Sequence, residues 1–268
     1  MRSSKLNNTR LFILLVFALS VGLALSQTAE TQIPSAVNQQ LASPDPSVRA
    51  KGFEALLATP GILRTPTGVR AIVSLLQRET ALIEETLRDS GGKIGVSAKY
   101  GEGYGEYYAK VLGTVNTIGN KDDPEVLDAL VKATYNANSD FAMQLAKTKG
   151  AQILPTVLDL CKRSAVGSRM QGVEMLGTIV RENRALSAAA TNQIKAAASA
   201  ALIDTEGAIR QSATAILAEI GDAHDIPDLE LVAKNDKGVQ LETGERRYFV
   251  REAAQKAIAR IRQRSSPR

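Results

Sequence analysis

One histidine, His224, and one cysteine, Cys161, limit the catalytic chemistry open to this 268-residue chain. Imidazole-based metal sites and Ser or Cys triads need several placed partners, and a single histidine cannot supply them. Cys161 follows Ile153, Val157 and Leu160 at helical spacing. That spacing predicts a buried apolar thiol, with a reactive thiol as the rival reading. Asp122, Asp123, Asp222 and Asp225 stand at turns, where carboxylates cap helices, and are better read as caps than as a calcium loop. Gly101-x-Gly103-x-Gly105 has no strand before it and its third glycine is misplaced for a dinucleotide loop. The residues therefore predict no catalytic constellation, metal site or cofactor, and no enzyme.

Two clusters suggest binding instead. Tyr100, Tyr104, Tyr107 and Tyr108 put four of six tyrosines within nine residues, among glycines. Tyrosine joins a rigid apolar body to a polar tip, the kind of residue that concentrates at recognition surfaces. The alternative is that they fold back on the preceding helix. The second cluster is the basic C-terminal stretch: Arg246, Arg247, Arg251, Lys256, Arg260, Arg262 and Arg264, with Arg268, against only Glu245 and Glu252. It suits an anionic lipid or glycan face or an acidic partner; the other reading is a solvated terminal cap whose cations complement the helix dipole.

The first residues set the compartment. Arg2, Lys5 and Arg10 precede an apolar run from Leu11 to Leu25, and Ala24-Leu25-Ser26 offers small residues at −3 and −1 of a cut before Gln27. This predicts a signal peptide over 1–26 and an exported, periplasmic or secreted protein. An uncleaved anchor is the alternative, though the run is shorter than the roughly 20 residues a span needs. The chain carries 33 basic and 28 acidic residues; without the leader's three cations the net falls to +2. A balance so near neutral does not favour nucleic acid as partner.

What positions these residues is helix after helix. Aliphatic side chains recur every three or four positions, without two-residue alternation. Asp45-Pro46, Thr65-Pro66 and Asp123-Pro124 each place a capping side chain before a proline at the first helical position. Gly61, Gly119 and Gly221 are expected to close helices in a left-handed conformation. The predicted helices are 33–42, 46–58, 66–88, 103–118, 124–135, 138–148, 150–163, 166–181, 186–203, 206–220, 225–234 and 246–263. A Gly/Tyr-rich loop over 89–105 interrupts them.

One phrase recurs: Arg169-Met-Gln-Gly-Val-Glu-Met-Leu176, Arg210-Gln-Ser-Ala-Thr-Ala-Ile-Leu217 and Arg251-Glu-Ala-Ala-Gln-Lys-Ala-Ile258, each 41 residues after the last, with Arg49-Ala-Lys-Gly-Phe-Glu-Ala-Leu56 further upstream. The small residue at +3 and the aliphatic at +7 share one helical face, which lets neighbouring hairpins approach closely. Ala208-Ile-Arg210 through Gly221-Asp222 to Pro227-Asp-Leu229 resembles a bacterial HEAT repeat, and Ile118-Gly119-Asn-Lys-Asp-Asp-Pro124 resembles the same junction. The likeness is strongest over 204–263, good at 43–60 and 164–181, and loose between. It implies an all-α solenoid of antiparallel helix pairs, about six repeats over 27–268. It also implies that each arginine bonds to the turn of an adjacent repeat. Some HEAT-like enzymes hold two irons through paired His-Glu motifs, which one histidine rules out here.

The expected function is that of an exported, non-catalytic scaffold. It binds another protein along a concave face beside Arg169, Arg210 and Arg251, with the tyrosines added if their loop folds over the groove. The alternative is an envelope accessory making peripheral contact with anionic lipid or glycan through the basic C-terminal helix.

Overall fold

The computed structural model describes residues 32–89, 96–133, 139–183, 185–238, 240–242 and 245–266. The fold is all-α. The predicted leader lies outside the described residues, and no described helix is long and apolar enough to cross a membrane. The chain divides into two compact units, 1–71 and 72–268.

In the first unit, α1 (Ser35–Leu41) and α2 (Pro46–Leu57) form a hairpin. Asp45 caps α2 by accepting the Ser47 amide at 2.8 Å. Gly52 sits where a Cβ would lie 2.7 Å from the Gln40 Cβ, so only glycine lets the two helices meet there. Phe53, Leu56 and Ile62 are fully buried. The helix α3 (Pro66–Asp89) opens in this unit, with Thr65 Oγ1 accepting the Gly68 amide at 3.0 Å, and continues into the second.

The second unit holds α4 (Val96–Tyr100), α5 (Gly103–Ile118), α6 (Pro124–Ala133), α7 (Ser139–Leu160), α8 (Val166–Glu182), α9 (Ala188–Ala201), α10 (Gly207–Ile220), α11 (Ile226–Asn235) and α12 (Phe249–Ser265). α7 packs on α8, α8 on α10 and α10 on α12, while α9 lies against α10 and α11 against α12. The arginine phrases open α2, α8, α10 and α12, so their small and aliphatic positions (Ala213, Leu217, Ala254, Ile258) fall in the core.

Several boundaries differ from expectation for identifiable reasons. The helices expected at 138–148 and 150–163 are one helix, α7. Gly150 does not end it, because a Cβ there would meet the Asn183 amide group at 2.6 Å; the glycine serves a close approach to the end of α8. Gly119 and Gly221 do follow α5 and α10, but in extended rather than left-handed conformation. Their missing Cβ makes room instead for Val126 Cγ1, 2.6 Å from the position at Gly119, and for Ile261 Cδ1, 3.0 Å away at Gly221. Gly61 alone of the three is left-handed, at φ 74°. The segment expected as a loop over 89–105 contains α4 and the start of α5, with Gly101 at φ 94° between them; residues 90–95 lie outside the described residues. The last helix begins at Phe249, preceded by an antiparallel pair, β1 (Gln240–Glu242) and β2 (Glu245–Arg247). Three paired residues a side are too few for alternation to register in the sequence.

Candidate functional site

The recurring arginines build a connected relay. The Arg169 Nη1 donates to the carbonyls of Arg163 (3.2 Å) and Ser164 (2.6 Å), holding the start of its own helix. Its Nε and Nη2 grip the Asp204 carboxylate at 2.7 and 3.2 Å, in the turn before α10. Arg210 repeats the arrangement: its Nη1 donates to the carbonyls of Asp204 (2.7 Å) and Thr205 (3.0 Å), and its Nε and Nη2 to the Asp236 carboxylate at 2.5 and 3.0 Å. Arg251 Nε then donates to the Asp236 carbonyl at 2.6 Å. Arg49, 1% exposed, makes the same back-bonds to Ser43 and Pro44. Burial alone would raise the Asp204 and Asp236 carboxyls. The arginine bonds, with amides from Glu206 and Gly238, outweigh it and hold both below the ordinary carboxylate range.

The tyrosines fold back. Tyr104 and Tyr108 are 5% and 3% exposed, which withdraws both from any partner-facing surface. Tyr104 donates to Glu79 Oε2 at 2.7 Å and Tyr107 to Glu79 Oε1 at 3.0 Å, on a carboxylate that is itself fully buried. Tyr108 donates to the Ala133 carbonyl at 3.0 Å and lies 3.0 Å from Thr80 Oγ1. The Tyr100 hydroxyl is 3.2 Å from Thr86 Oγ1. Tyr100 and Tyr107 keep partial exposure. The burial has a simple cause: α3 presents Glu79, Thr80 and Thr86 as polar anchors, and a buried carboxylate needs donors.

Most cations of the C-terminal helix are likewise engaged within the chain. Arg247 pairs with Glu252 at 3.0 Å, Arg262 with Glu230 at 2.8 Å, and Arg260 with Glu219. Arg251 also stacks over the Tyr248 ring, 4.1 Å from its centroid. Arg264 donates to the carbonyls of Ala218 (2.5 Å) and Gly221 (2.8 Å), closing the C-terminus of α10 from another helix. The Arg246 side chain lies outside what is described. Lys256 is exposed.

No group of three metal-ligating side chains occurs among the described residues. The His224 side chain is 95% exposed, its Nδ1 3.0 Å from Asp222. Burial pushes the Cys161 thiol up to about 12, so it carries no thiolate at neutral pH.

What sequence reading did not find is a groove across α8, α10 and α12. One half, of about 290 Å³, is bounded by Met143, Val173, Glu174, Gly177 and Ile216. The other, of about 460 Å³, has a floor of Ala215, Ala218, Ala253 and Ala259, with Arg181, Lys256, Arg260 and Glu219 around it. None of the four tyrosines lines either half. Glu174 is solvent-exposed, yet loss of water on its groove side raises its carboxyl above the usual value. The signal that could have revealed the groove was the run of small residues on the solvent side of α10 and α12.

No protein-family model matches the chain, and no curated protein sequence matches it. Among solved structures, one similar chain is the crystal structure of an engineered protein, a Northeast Structural Genomics Consortium target. It is 13% identical, with 85% of this chain and 95% of that one covered and a TM-score of 0.35, a likeness too low to carry an argument.

Proposed function

We propose that this chain is an exported, non-catalytic α-solenoid of the HEAT-like kind that binds another protein in the groove of α8, α10 and α12. The observation that carries the reading is the relay through Asp204 and Asp236. It holds the three helices in fixed register, and their solvent side carries two adjoining hollows that share Arg181, Ala215 and Glu219. Rigid elements presenting a preformed groove lose little order on binding, which favours recognition of a folded or helical partner. A repeat architecture supports the same reading, since such arrays commonly use their curved faces for partners. The step from architecture to binding is an analogy.

Docking to lipid or glycan through the C-terminal helix has less support. Arg247, Arg251, Arg260, Arg262 and Arg264 already have acceptors within the chain. Export rests on the composition of residues 1–26, and N-terminal sequencing of exported protein should begin at Gln27.

A photo-crosslinking residue at Ala215, exposed in the groove, tests the binding reading against the same residue at Asn192, exposed on α9. Crosslinks to a discrete protein in envelope extract from Ala215, and none from Asn192, are expected. Equal or absent crosslinking at both positions removes the reading.

A further inference from the structure

The geometry points to an acidic segment of a partner protein as the occupant of the α10–α12 half of the groove, gripped by Arg181 and Lys256. This inference rests on the groove reading above and adds the chemistry of the partner.

Arg181 lies along its own helix: a Cβ at Gly177 would sit 3.3 Å from its Nη1. Its Nη2 donates to Thr178 Oγ1 at 3.1 Å, and that hydroxyl donates to Met143 Sδ at 3.1 Å. One contact to a buried neighbour steers the fork. The remaining donors of the guanidinium meet no carboxylate among the described residues. Lys256, on the facing helix, also has no ionic partner among them. Of the acids nearby, Glu219 is taken by Arg260.

This half of the groove therefore carries two uncompensated cations over a floor of Ala215, Ala218, Ala253 and Ala259. The floor ends at Cβ, so it admits the backbone of a helix or extended segment at short range and offers it apolar area to bury. Inorganic phosphate would use the cations but not the floor, and a flat lipid surface does not reach into a groove. A peptide bearing carboxylates uses both, and a carboxylate fits the arginine fork with two parallel bonds. Glu174 bounds the site at the other end. It has no ionic partner among the described residues, so nothing there draws an acidic occupant toward that end.

The test is fluorescence anisotropy of the full chain with a labelled helical peptide of Glu and Ala, beside one in which Lys replaces Glu. The Glu/Ala peptide should bind and the Lys/Ala peptide should not. Arg181→Glu and Lys256→Glu should each weaken binding about tenfold, as for loss of one charge-assisted contact. Both side chains are exposed, and unchanged urea unfolding curves identify folded variants. Binding of the Lys/Ala peptide, or indifference to Arg181→Glu, overturns the inference. So does binding of anionic lipid vesicles with no binding of either peptide. If the Ala215 crosslink to a partner persists in Arg181→Glu, the acidic occupant is wrong while the groove reading stands. If Ala215 gives no crosslink in the unaltered protein, the groove reading itself is lost.

Discussion

Asp236 serves two arginines at once, its carboxylate holding Arg210 and its carbonyl holding Arg251. Its side chain is 5% exposed and that of Arg210 14%, so removing either leaves a poorly hydrated charge without its partner. Asp236→Ala should cost about 3 kcal/mol in urea unfolding. Arg262→Ala breaks a pair whose side chains are 62% and 54% exposed and should cost under about 1 kcal/mol. Arg210→Lys should not substitute, because an ammonium cannot span both carboxylate oxygens. The relay also sets an acid limit. Asp204 and Asp236 have folded-state values below their unfolded ones, so the stability they contribute is complete above about pH 4, where the unfolded carboxyls are ionised. It is lost as pH falls below that, toward the lowered folded values. Unfolding followed against pH should show this loss in the native chain and a shallower one in Asp204→Asn. The arginines were legible because they recur every 41 residues. Their aspartates were not, since Asp204 lies 35 residues after Arg169 whereas Asp236 lies only 26 after Arg210. A partner at varying offset leaves no period to read.

At the scale of elements, capping chemistry was the most readable part of the chain. Asp45, Thr65 and Asp123 accept the amides expected of them, because a cap is settled within four residues. Glycine was harder to interpret. It can end a helix or admit a neighbour: Gly119 and Gly221 do both, and Gly150 only the second, which depends on residues far along the chain. The tyrosines posed the same difficulty. Tyr104 and Tyr107 are fixed by Glu79, some 25 residues earlier, which docks α5 on α3. Glu79→Gln keeps the shape but replaces one accepting oxygen with a donor. It should cost about 1–3 kcal/mol by thermal or urea unfolding, and Tyr104→Phe about the same, since each leaves a buried polar group unmet. A double variant costing no more than either single would show that the two residues act through one bond.

For the whole molecule, the all-α class followed from periodicity alone, and the groove did not. Arg181, Ala215 and Lys256 come from three helices separated in sequence by tens of residues, and each by itself reads as an ordinary solvated position. Only packing brings them to one place. The same packing gives the last helix a task that its composition conceals. Arg264 reaches over to the C-terminal end of α10 and takes the Ala218 and Gly221 carbonyls, 46 and 43 residues upstream. Those acceptors have no donor of their own at a helix terminus. Removing the residues from Arg264 onward should therefore lower the melting temperature by several degrees, as for the loss of about 1–2 kcal/mol. Arg264 is thus a clasp between two helices: a cut on its N-terminal side bares both carbonyls, whereas a cut on its C-terminal side leaves them held.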